Sequence, residues 1–396
     1  MKIDKARICC ILRSRYPKAF GIRKKLQRIK VKRLKRHLLS KEEVEACEAE
    51  PVKIKETIKP YLKRWKKYLR PTFQEIDDIL ENAPLYQKRQ DKEQLRTEML
   101  FFRLAYGFLP SEYVGFELEG KTPKEYKGFV SDIDTLVFGY SVNDIARLQK
   151  VLDKGYSYLQ FGEYFGRDAI IVDSRRDYKK FQEFIKKHPV FVKKKVFSCM
   201  GKGVEIVDIR TVKEMEYAYF KKLVASGKFL LEEKVIQHDE MSKFNPSSVN
   251  TIRCITLKTN CGVEMPYCFM RVGRKGSFVD NGGAGGLLVG IDTTIGVLNT
   301  DGFSEYNERF IFHPDTEIRF RGSKIPAWSE AIAFAKEAAF KVKDINYLSW
   351  DLAYTKKGWV VIEVNEVGQL IGPQIVMKQG IKKELSDYFD RMDKAI

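Results

Sequence analysis

The chain has 396 residues, of which 44% are hydrophobic and 12% aromatic, as in a globular protein large enough for two or three structural units. It contains no run of about 18 apolar residues, which excludes a membrane-spanning helix, and the apolar stretch 8–12 is too short for the core of a signal peptide. We therefore expect a cytoplasmic protein. The net charge of +19 is uneven: residues 1–36 hold 15 Lys or Arg and one acid, a net charge of +14, which leaves +5 for the other 360 residues.

Residues 1–95 are predicted to form a basic helical N-terminal region, because apolar residues recur at three- and four-residue spacing among cations. Ser40 and Glu43 have the spacing of a capping box at a helix start. Pro51, Pro60 and Pro71 are expected to separate short helices. A stretch of mixed character follows, over residues 96–160.

Beyond residue 160 the pattern changes to short β-rich runs. Strands are predicted at 169–172, 190–192, 204–207, 229–232, 252–257, 350–355 and 359–364, and helices at 177–187 and 327–341. Strands and helices mix without strict alternation, so the fold class is predicted to be α+β.

Seven cysteines lack CxxC spacing, and the four histidines do not cluster near them. This argues against a zinc site and against a disulfide framework.

The strongest local signal for chemistry lies near the C-terminus. Asp351 falls in one predicted strand of a hairpin, and Glu363 and Asn365 project from the same side of the returning strand because they are two residues apart. Two carboxylates and an amide oxygen form an oxygen-only ligand set suited to Mg²⁺ shared with phosphates. The alternative is an acidic hairpin that faces solvent.

Two loops rich in small residues are candidate phosphate contacts. The loop 197–203 lets backbone N–H groups approach an anion, although it matches neither the P-loop nor the dinucleotide-binding pattern. Four glycines within 282–286 lie close in sequence to Arg271 and Arg274, which favours an anionic ligand. An ordinary turn and a flexible hairpin tip are the respective alternatives.

The segment 230–240 runs from an apolar strand into charged residues. Such a strand end suits a hinge whose backbone pairs with the polar edge of a purine. The alternative is a strand end with a solvated acidic tail.

Taken in order, these motifs resemble the ATP-grasp superfamily, in particular the sugar-transfer-associated ATP-grasp proteins of polysaccharide biosynthesis. The resemblance covers roughly residues 130–385. It is carried by Val151-Leu152-Asp153-Lys154, by Val192-Lys193 before the glycine loop, by Glu233-Lys234-Val235-Ile236, by the stretch 245–253 and by the C-terminal acids.

The resemblance implies a fold of two α+β subdomains that clasp ATP, a small one over 161–235 and a large one over 236–396, with 96–160 as a region that precedes them. It also implies functional residues. Those expected to contact the nucleotide are Lys154, Lys193, Ser198, Gly201, Gly203, the hinge residues Glu233, Lys234, Val235 and Ile236, and Glu240 at the ribose. The expected ligands of Mg²⁺, with two ions anticipated, are Asp351, Glu363 and Asn365.

One departure from the family pattern concerns the reacting oxygens. Carboxylate–amine ligases often carry an arginine two residues before the first metal-binding acid, and Ser349 stands there in this chain. Arg253 and Arg271 are the candidates to replace it, since a developing oxyanion needs a nearby cation rather than a particular chain position. The glycine loop also lacks a proline after Lys193.

By resemblance, the expected activity is that of an ADP-forming ligase that makes a C–N bond through an acyl phosphate. Its expected substrates are a uronic acid or another carboxyl-bearing sugar and a small amine or amino acid. A phosphotransferase on the same fold and a non-catalytic nucleotide-binding scaffold of a polysaccharide assembly complex remain alternatives.

The basic N-terminal arm needs its own explanation. An anionic membrane surface, which would make the protein peripheral to the inner face of the plasma membrane, and docking to a protein such as a glycosyltransferase complex are the two main candidates. Nucleic acid is disfavoured because no recognised nucleic-acid-binding motif accompanies the charge.

Overall fold

The computed structural model of the chain describes residues 20–197, 203–213, 215–366 and 368–392, and only the backbone of residues 20–26 and of Ala284. The N-terminal half of this part is helical and packs around an apolar core that includes Ile58, Leu69 and Phe102. The same core also contains Phe269 and Ile375 of the C-terminal part. Its helices are α1 (Phe20–Lys35), α2 (Lys41–Ala49), α3 (Ile54–Arg64), α4 (Lys66–Asn82), α5 (Lys92–Tyr106) and α6 (Pro110–Gly115).

The capping box predicted at Ser40 is confirmed. The Ser40 hydroxyl accepts a hydrogen bond from the Glu43 amide at 3.2 Å, and the Glu43 carboxylate accepts one from the Ser40 amide at 2.7 Å. Two unpaired amides at the start of α2 are thus satisfied.

The prediction that prolines separate the helices is wrong at two of three positions. Pro60 lies inside α3 and Pro71 inside α4, and the break between these helices falls at Trp65. A proline costs a helix one backbone hydrogen bond. Here the apolar faces of both helices are buried, and that burial outweighs the loss.

The stretch 96–160, predicted to be mixed, is also helical. After α6 come α7 (Pro123–Tyr126), α8 (Asp132–Val142), α9 (Ile145–Val151) and α10 (Lys154–Phe165).

A small four-stranded antiparallel sheet follows, with strand order β1-β4-β2-β3. Its strands are β1 (Ala169–Val172), β2 (Val190–Lys195), β3 (Val204–Asp208) and β4 (Phe229–Glu233). Two helices, α11 (Tyr178–Lys187) and α12 (Glu216–Ser226), cover one face through Phe181, Phe184 and Phe220. The other face is left for the cleft described below.

A large seven-stranded antiparallel sheet forms the C-terminal part, with strand order β11-β10-β5-β6-β7-β8-β9. After the short α13 (Asp239–Ser242), its strands are β5 (Thr251–Thr259), β6 (Gly262–Val272), β7 (Leu287–Asp292), β8 (Val297–Phe303), β9 (Arg309–Phe310), β10 (Tyr347–Thr355) and β11 (Gly358–Asn365). Helix α14 (Trp328–Phe340) packs against the sheet, and α15 (Ile371–Met377) and α16 (Lys382–Asp390) end the described chain.

Both faces of the large sheet are covered, which is why β5 is buried without alternation from Thr251 to Leu257. Ile252 and Trp350 belong to the apolar core shared with α14. Alternation along a strand therefore sends Arg253 and Asp351 to the opposite face. The α+β class and the helical N-terminal region predicted from the sequence are confirmed. Among the described residues, no helix combines the length and the apolar content needed to cross a membrane.

Candidate active site

A cleft of about 410 Å³ opens between the small sheet and the large sheet. Its walls come from β2, β3 and β4 on one side and from β5, β6, β10 and β11 on the other. The hinge segment 233–237 and the loops 246–249 and 278–281 complete it.

One end of the cleft is an apolar slot. Val192 on β2 and Val204 and Ile206 on β3 face Ile362 on β11 across it. The hinge residues Val235 and Ile236 run along its edge. Just beyond Ile236, an isolated antiparallel bridge between Gln237 and Thr355 holds the hinge segment to β10. A flat apolar ring with polar edge atoms would find here both packing surface and hydrogen-bonding groups.

The other end of the cleft is polar and is built on the β10–β11 hairpin. Asp351 and Glu363 are directly paired across the hairpin, and Asn365 is paired with Ser349. The Lys154 ammonium at the start of α10 lies 3.1 Å from the Glu363 carboxylate. The structure thus brings together the three predicted metal ligands and one predicted phosphate-binding lysine.

Two arginines hold Asp351 from the neighbouring strands. Arg253 on β5 donates to both carboxylate oxygens at 2.7 Å, and Arg271 on β6 donates to Oδ2 at 2.8 Å. Burial alone would raise the pKa of Asp351, but these guanidinium groups outweigh it and lower the pKa to about 2. The two candidate arginines are therefore organised around the first predicted metal ligand.

The network continues to Asp280, a residue absent from the predicted site. Its carboxylate lies 2.9 Å from the Arg271 guanidinium and accepts the Thr251 amide at 3.0 Å. Burial nevertheless raises the pKa of Asp280, only partly offset by Arg271. The glycine-rich loop makes this placement possible, since a Cβ on Gly286 would lie 2.2 Å from the Asp280 carbonyl oxygen. Asn281, directly before these glycines, lines the cleft.

The segment 245–250, which resembles the sugar-transfer subgroup, forms another wall. Ser247 and Ser248 line the cleft. The buried Asn250 holds the turn by donating to the carbonyls of Met241 and Asn245 at 2.9 and 3.0 Å.

The structure changes the assignment of the lysine on β2. Lys193 points to the other face of the small sheet, where its ammonium lies 2.8 Å from Glu205. Lys194 lines the cleft together with Val192, as the two-residue period of a strand requires. The sequence prediction selected the neighbour of the residue that faces the cleft.

Lys194 belongs to a buried ion cluster that joins the two sheets. Its ammonium lies 2.8 Å from Glu232 on β4, whose same oxygen accepts from Arg167 at 2.9 Å. Arg167 also donates to the Val361 carbonyl of β11 at 2.6 Å. Burial raises the pKa of Glu232, but Arg167 and Lys194 outweigh it and keep the pKa below its usual value.

Four residues of the predicted hinge lie in the cleft, and the predicted ribose-binding residue does not. Glu233, Lys234, Val235 and Ile236 all line the cleft, as predicted. Glu240, predicted at the ribose, is instead half-exposed on α13 and paired with Lys243 at 2.8 Å. Ser242 lines the cleft from the same helix.

The structure describes only Phe197 and Gly203 of the loop 197–203, which was predicted to cover the phosphates. Ser198 and Gly201 lie outside the described residues. Gly203 has a φ of +76°, which glycine adopts without strain, and its carbonyl accepts the Lys195 amide at 3.1 Å.

Position 349, where related ligases carry an arginine, is completely buried, and the Ser349 hydroxyl has no hydrogen-bond partner among the described residues. Arg253 lies directly across from Asp351 in the β5–β10 register. A guanidinium is thus supplied to the same carboxylate from the adjacent strand.

The residues present fit a hard cation. The Glu363 carboxylate lines the cleft beside Asp351, and the Asn365 amide group lies 3.4 Å from the Asp351 carboxylate. The Asp351 carboxylate has about four acceptor sites, and the Oδ1 atom accepts only the Arg253 Nε–H among the described residues, which leaves it able to bind a metal.

A second group of possible ligands, Asp168, His188 and Glu233, lies at the hinge. There His188 contacts Asp168 at 2.9 Å and Glu233 accepts the Asp168 amide at 3.2 Å. Lys187 also binds the Asp168 carboxylate. The group is thus internally hydrogen-bonded and neutralised by a lysine.

Two antiparallel sheets that enclose a cleft with an apolar slot and an acidic hairpin define the ATP-grasp fold. The chain belongs to the sugar-transfer associated ATP-grasp family, whose model matches residues 162–389. This confirms the resemblance inferred from the sequence motifs. No curated protein matches the sequence.

The chain is also similar to solved structures that are distant in sequence. They include the ATP-grasp ligase PsnB complexed with a precursor peptide and AMPPNP (11% identity, 65% of each chain, TM-score 0.38). They also include D-alanyl-alanine synthetase A from Vibrio cholerae (10% identity, 61% of this chain and 65% of that one, TM-score 0.38). A third is phosphoribosylamine–glycine ligase from Thermotoga maritima (12% identity, 64% and 58%, TM-score 0.42). The chain spans less than two thirds of the length of each of these proteins.

Sequence reasoning missed Lys194, Asp280, Glu232 and Arg167. A signal for Lys194 was present, because the apolar Val192 two residues earlier marks one face of the strand. Arg167 lies before β1 and far from every motif, so only the packing of the two sheets reveals it.

Proposed function

We propose that this protein is an ADP-forming ligase that joins a carboxylate to an amine. The observation that carries the proposal is the juxtaposition, in one cleft, of an apolar slot bordered by the hinge segment with an oxygen-donor hairpin and cationic side chains. A purine nucleoside triphosphate has matching parts in the same order: a flat ring, a ribose and a chain of anionic phosphates.

The nucleotide would lie with its purine between Ile206 and Ile362 and its polar edge against the peptide groups of 234–236. Lys154 and Lys194 would then be available to the phosphates, since both line the cleft. Charge-assisted hydrogen bonds of this kind are roughly twice as strong as neutral ones.

Asp351, Glu363 and Asn365 would hold Mg²⁺, for which we propose two ions. When bound, the metal would neutralise charge on the phosphate oxygens. The chain itself prepares this region: Lys154 orients Glu363, and the two arginines fix Asp351 in its ionised form.

In the proposed reaction, a carboxylate oxygen of the acid attacks the γ-phosphorus, and the bond from that phosphorus to the β-bridging oxygen breaks to release ADP. An amine then attacks the acyl carbon, phosphate leaves with the former carboxylate oxygen, and the amine loses a proton to the medium. Arg271 lines the cleft and would stabilise the oxyanion at the acyl carbon. Arg253 is assigned a positioning role, because its hydrogen bonds go to Asp351 and Gln369.

For the acid we propose a uronic acid or another carboxyl-bearing sugar, and for the amine a small amine or amino acid. The family description, which associates these proteins with sugar transfer, supports a sugar substrate. The hydroxyl group of Ser247 in the cleft wall is suited to a hydrogen bond with a sugar.

The test is ATP turnover with candidate uronic acids and amines, followed by product analysis. We expect ADP, phosphate and an amide, formed only when acid and amine are both present. A phosphorylated sugar would establish the phosphotransferase alternative. Nucleotide binding without turnover for any acid and amine pair would favour the scaffold.

A matched pair of variants controls for contaminating ATPase. Glu363→Gln alters a predicted metal ligand, whereas Glu330→Gln alters an exposed acid on α14, on the far side of the large sheet. We expect the first to abolish turnover and the second to leave it unchanged.

A further inference from the structure

The exposed face of α1 carries a dense positive charge. Residues 20–40 contain no acidic residue. Between Gln27 and His37 the exposed cationic side chains are Arg28, Lys32, Arg33, Lys35 and Arg36. With 3.6 residues per turn and a rise of 1.5 Å, these cations cover a face about 12 Å long and about 160° wide. We call this surface the basic face of α1.

The helix that carries the basic face is fixed to the body of the protein. Gln27 is buried and donates to the carbonyls of Tyr140 and Asn143, the latter at 2.8 Å. The Lys30 ammonium lies 4.4 Å from the centre of the Tyr140 ring. Because α1 is held on α8 by its inner side, the basic face points outward as a rigid surface.

The anchor of α1 also locates it relative to the cleft. Asn143 donates to the Tyr347 carbonyl at 2.8 Å and accepts the Tyr347 amide at 2.8 Å, at the start of β10. Asp351 lies four residues further along that strand, or about 13 Å. The basic face therefore lies at the same end of the molecule as the acidic hairpin.

We propose that the basic face of α1 docks the protein onto an anionic lipid bilayer. The basic face is about 160° wide, which suits contact with a flat anionic surface better than contact with a single polyanionic strand. No aromatic side chain stands among the exposed residues 28–36 to stack on a base, which disfavours single-stranded nucleic acid. Ile29, exposed at 38% among the cations, can contact the boundary between headgroups and acyl chains.

Docking in this way would place the hairpin end of the cleft near the bilayer. A carboxyl sugar carried on a lipid, or transferred at the membrane surface, would then approach the cleft from the side that α1 faces. The docking proposal does not depend on the ligase proposal, because vesicle binding is measured without turnover.

The test is co-sedimentation of the full chain with vesicles of phosphatidylcholine alone or mixed with phosphatidylserine. We expect binding only to the mixed vesicles, weakening as salt is raised. Replacing Arg28, Lys32 and Arg33 together by Gln should weaken partitioning about 100-fold, since each cation near an anionic surface contributes roughly a factor of five.

A control with the same loss of charge replaces Lys179, Lys186 and Lys221, which are exposed on α11 and α12, by Gln. We expect at most a twofold change, and circular dichroism should show both variants folded. Equal weakening by the two triple variants, or no binding by the wild type, would overturn the proposal. So would tighter binding to a soluble polyanion, such as a DNA oligomer, than to the mixed vesicles at the same salt.

Discussion

At the scale of single residues, Asp351 has two separable roles, because it is both a candidate metal ligand and the acceptor for two buried guanidinium groups. Its side chain is 3% exposed, and the side chains of Arg253 and Arg271 are 6% and 10% exposed. Removing one partner of a buried ion pair leaves the remaining charges uncompensated. Glu363 is 36% exposed and, among the described residues, forms its ion pair with Lys154, so we assign it no comparable structural role.

We therefore expect Asp351→Asn to lower the free energy of unfolding by about 3 kcal/mol. Glu363→Gln should change it by less than about 1 kcal/mol, as for an exposed pair, while weakening Mg²⁺-dependent nucleotide binding. Chemical denaturation and titration calorimetry measure the two effects. Equal stability of the two variants would contradict the structural role of Asp351.

A second residue-scale prediction concerns the adjacent lysines of β2. Lys194 faces the cleft and Lys193 pairs with Glu205 on the opposite side. Lys194→Met should raise the Kd for ATP about tenfold or more, because a charge-assisted contact to phosphate is lost. Lys193→Met is the matched control and should leave the Kd within about twofold. The reverse result would restore the assignment made from the sequence.

At the scale of elements, the two sheets are joined by Arg167, which links Glu232 on β4 to the carbonyl oxygens of β11. Arg167 and Glu232 are each 3% exposed at the side chain. The second carboxylate oxygen of Glu232 has no partner among the described residues. Lys194 makes a second link, because its ammonium also donates to the Ile362 carbonyl of β11 at 3.4 Å.

Arg167→Ala should thus destabilise the protein by about 3 kcal/mol and speed amide exchange in β4 and β11 more than in β6 and β7. Denaturation and hydrogen exchange test this. The control is Arg176→Ala, which alters an exposed arginine of the same small domain. Uniform exchange changes across all strands would contradict a local link between the sheets.

The elements also show what a single sequence can predict. Strands β1 to β5 and the β10–β11 hairpin were predicted, since each has a short apolar run bounded by turns. Strand β6 was not predicted, and it contains Pro266, which lies where the β5–β6 register shifts. A proline inside a strand is tolerated at such a bulge, but the bulge itself exists only in the paired sheet.

In the candidate site too, features that depend on neighbouring residues in the sequence could be predicted, whereas features set by tertiary packing could not. The pairing of the hairpin acids and the cleft position of the hinge residues could be predicted because both depend on spacing within one strand or loop. Lys194 was confused with Lys193 because both strand faces carry a lysine and nothing local tells which face meets the cleft. Asp280 reaches Arg271 through a glycine loop whose path is set by tertiary packing.

At the scale of the whole molecule, a helical N-terminal region packs beside a two-sheet clasp that belongs to the sugar-transfer associated ATP-grasp family. The charge is also unevenly distributed between these two parts. Most of the net positive charge lies on residues 1–36, and the acids of the candidate site lie on the C-terminal hairpin. This arrangement underlies both proposals, catalysis in the cleft and bilayer docking through α1.

The most direct test is a crystal structure of the full chain with a non-hydrolysable ATP analogue and Mg²⁺. The proposal predicts the purine in the slot between Ile206 and Ile362, the phosphates near Lys154 and Lys194, and the metal on Asp351, Glu363 and Asn365. A metal bound elsewhere, such as on Asp168, His188 and Glu233, or a nucleotide outside the cleft would contradict it.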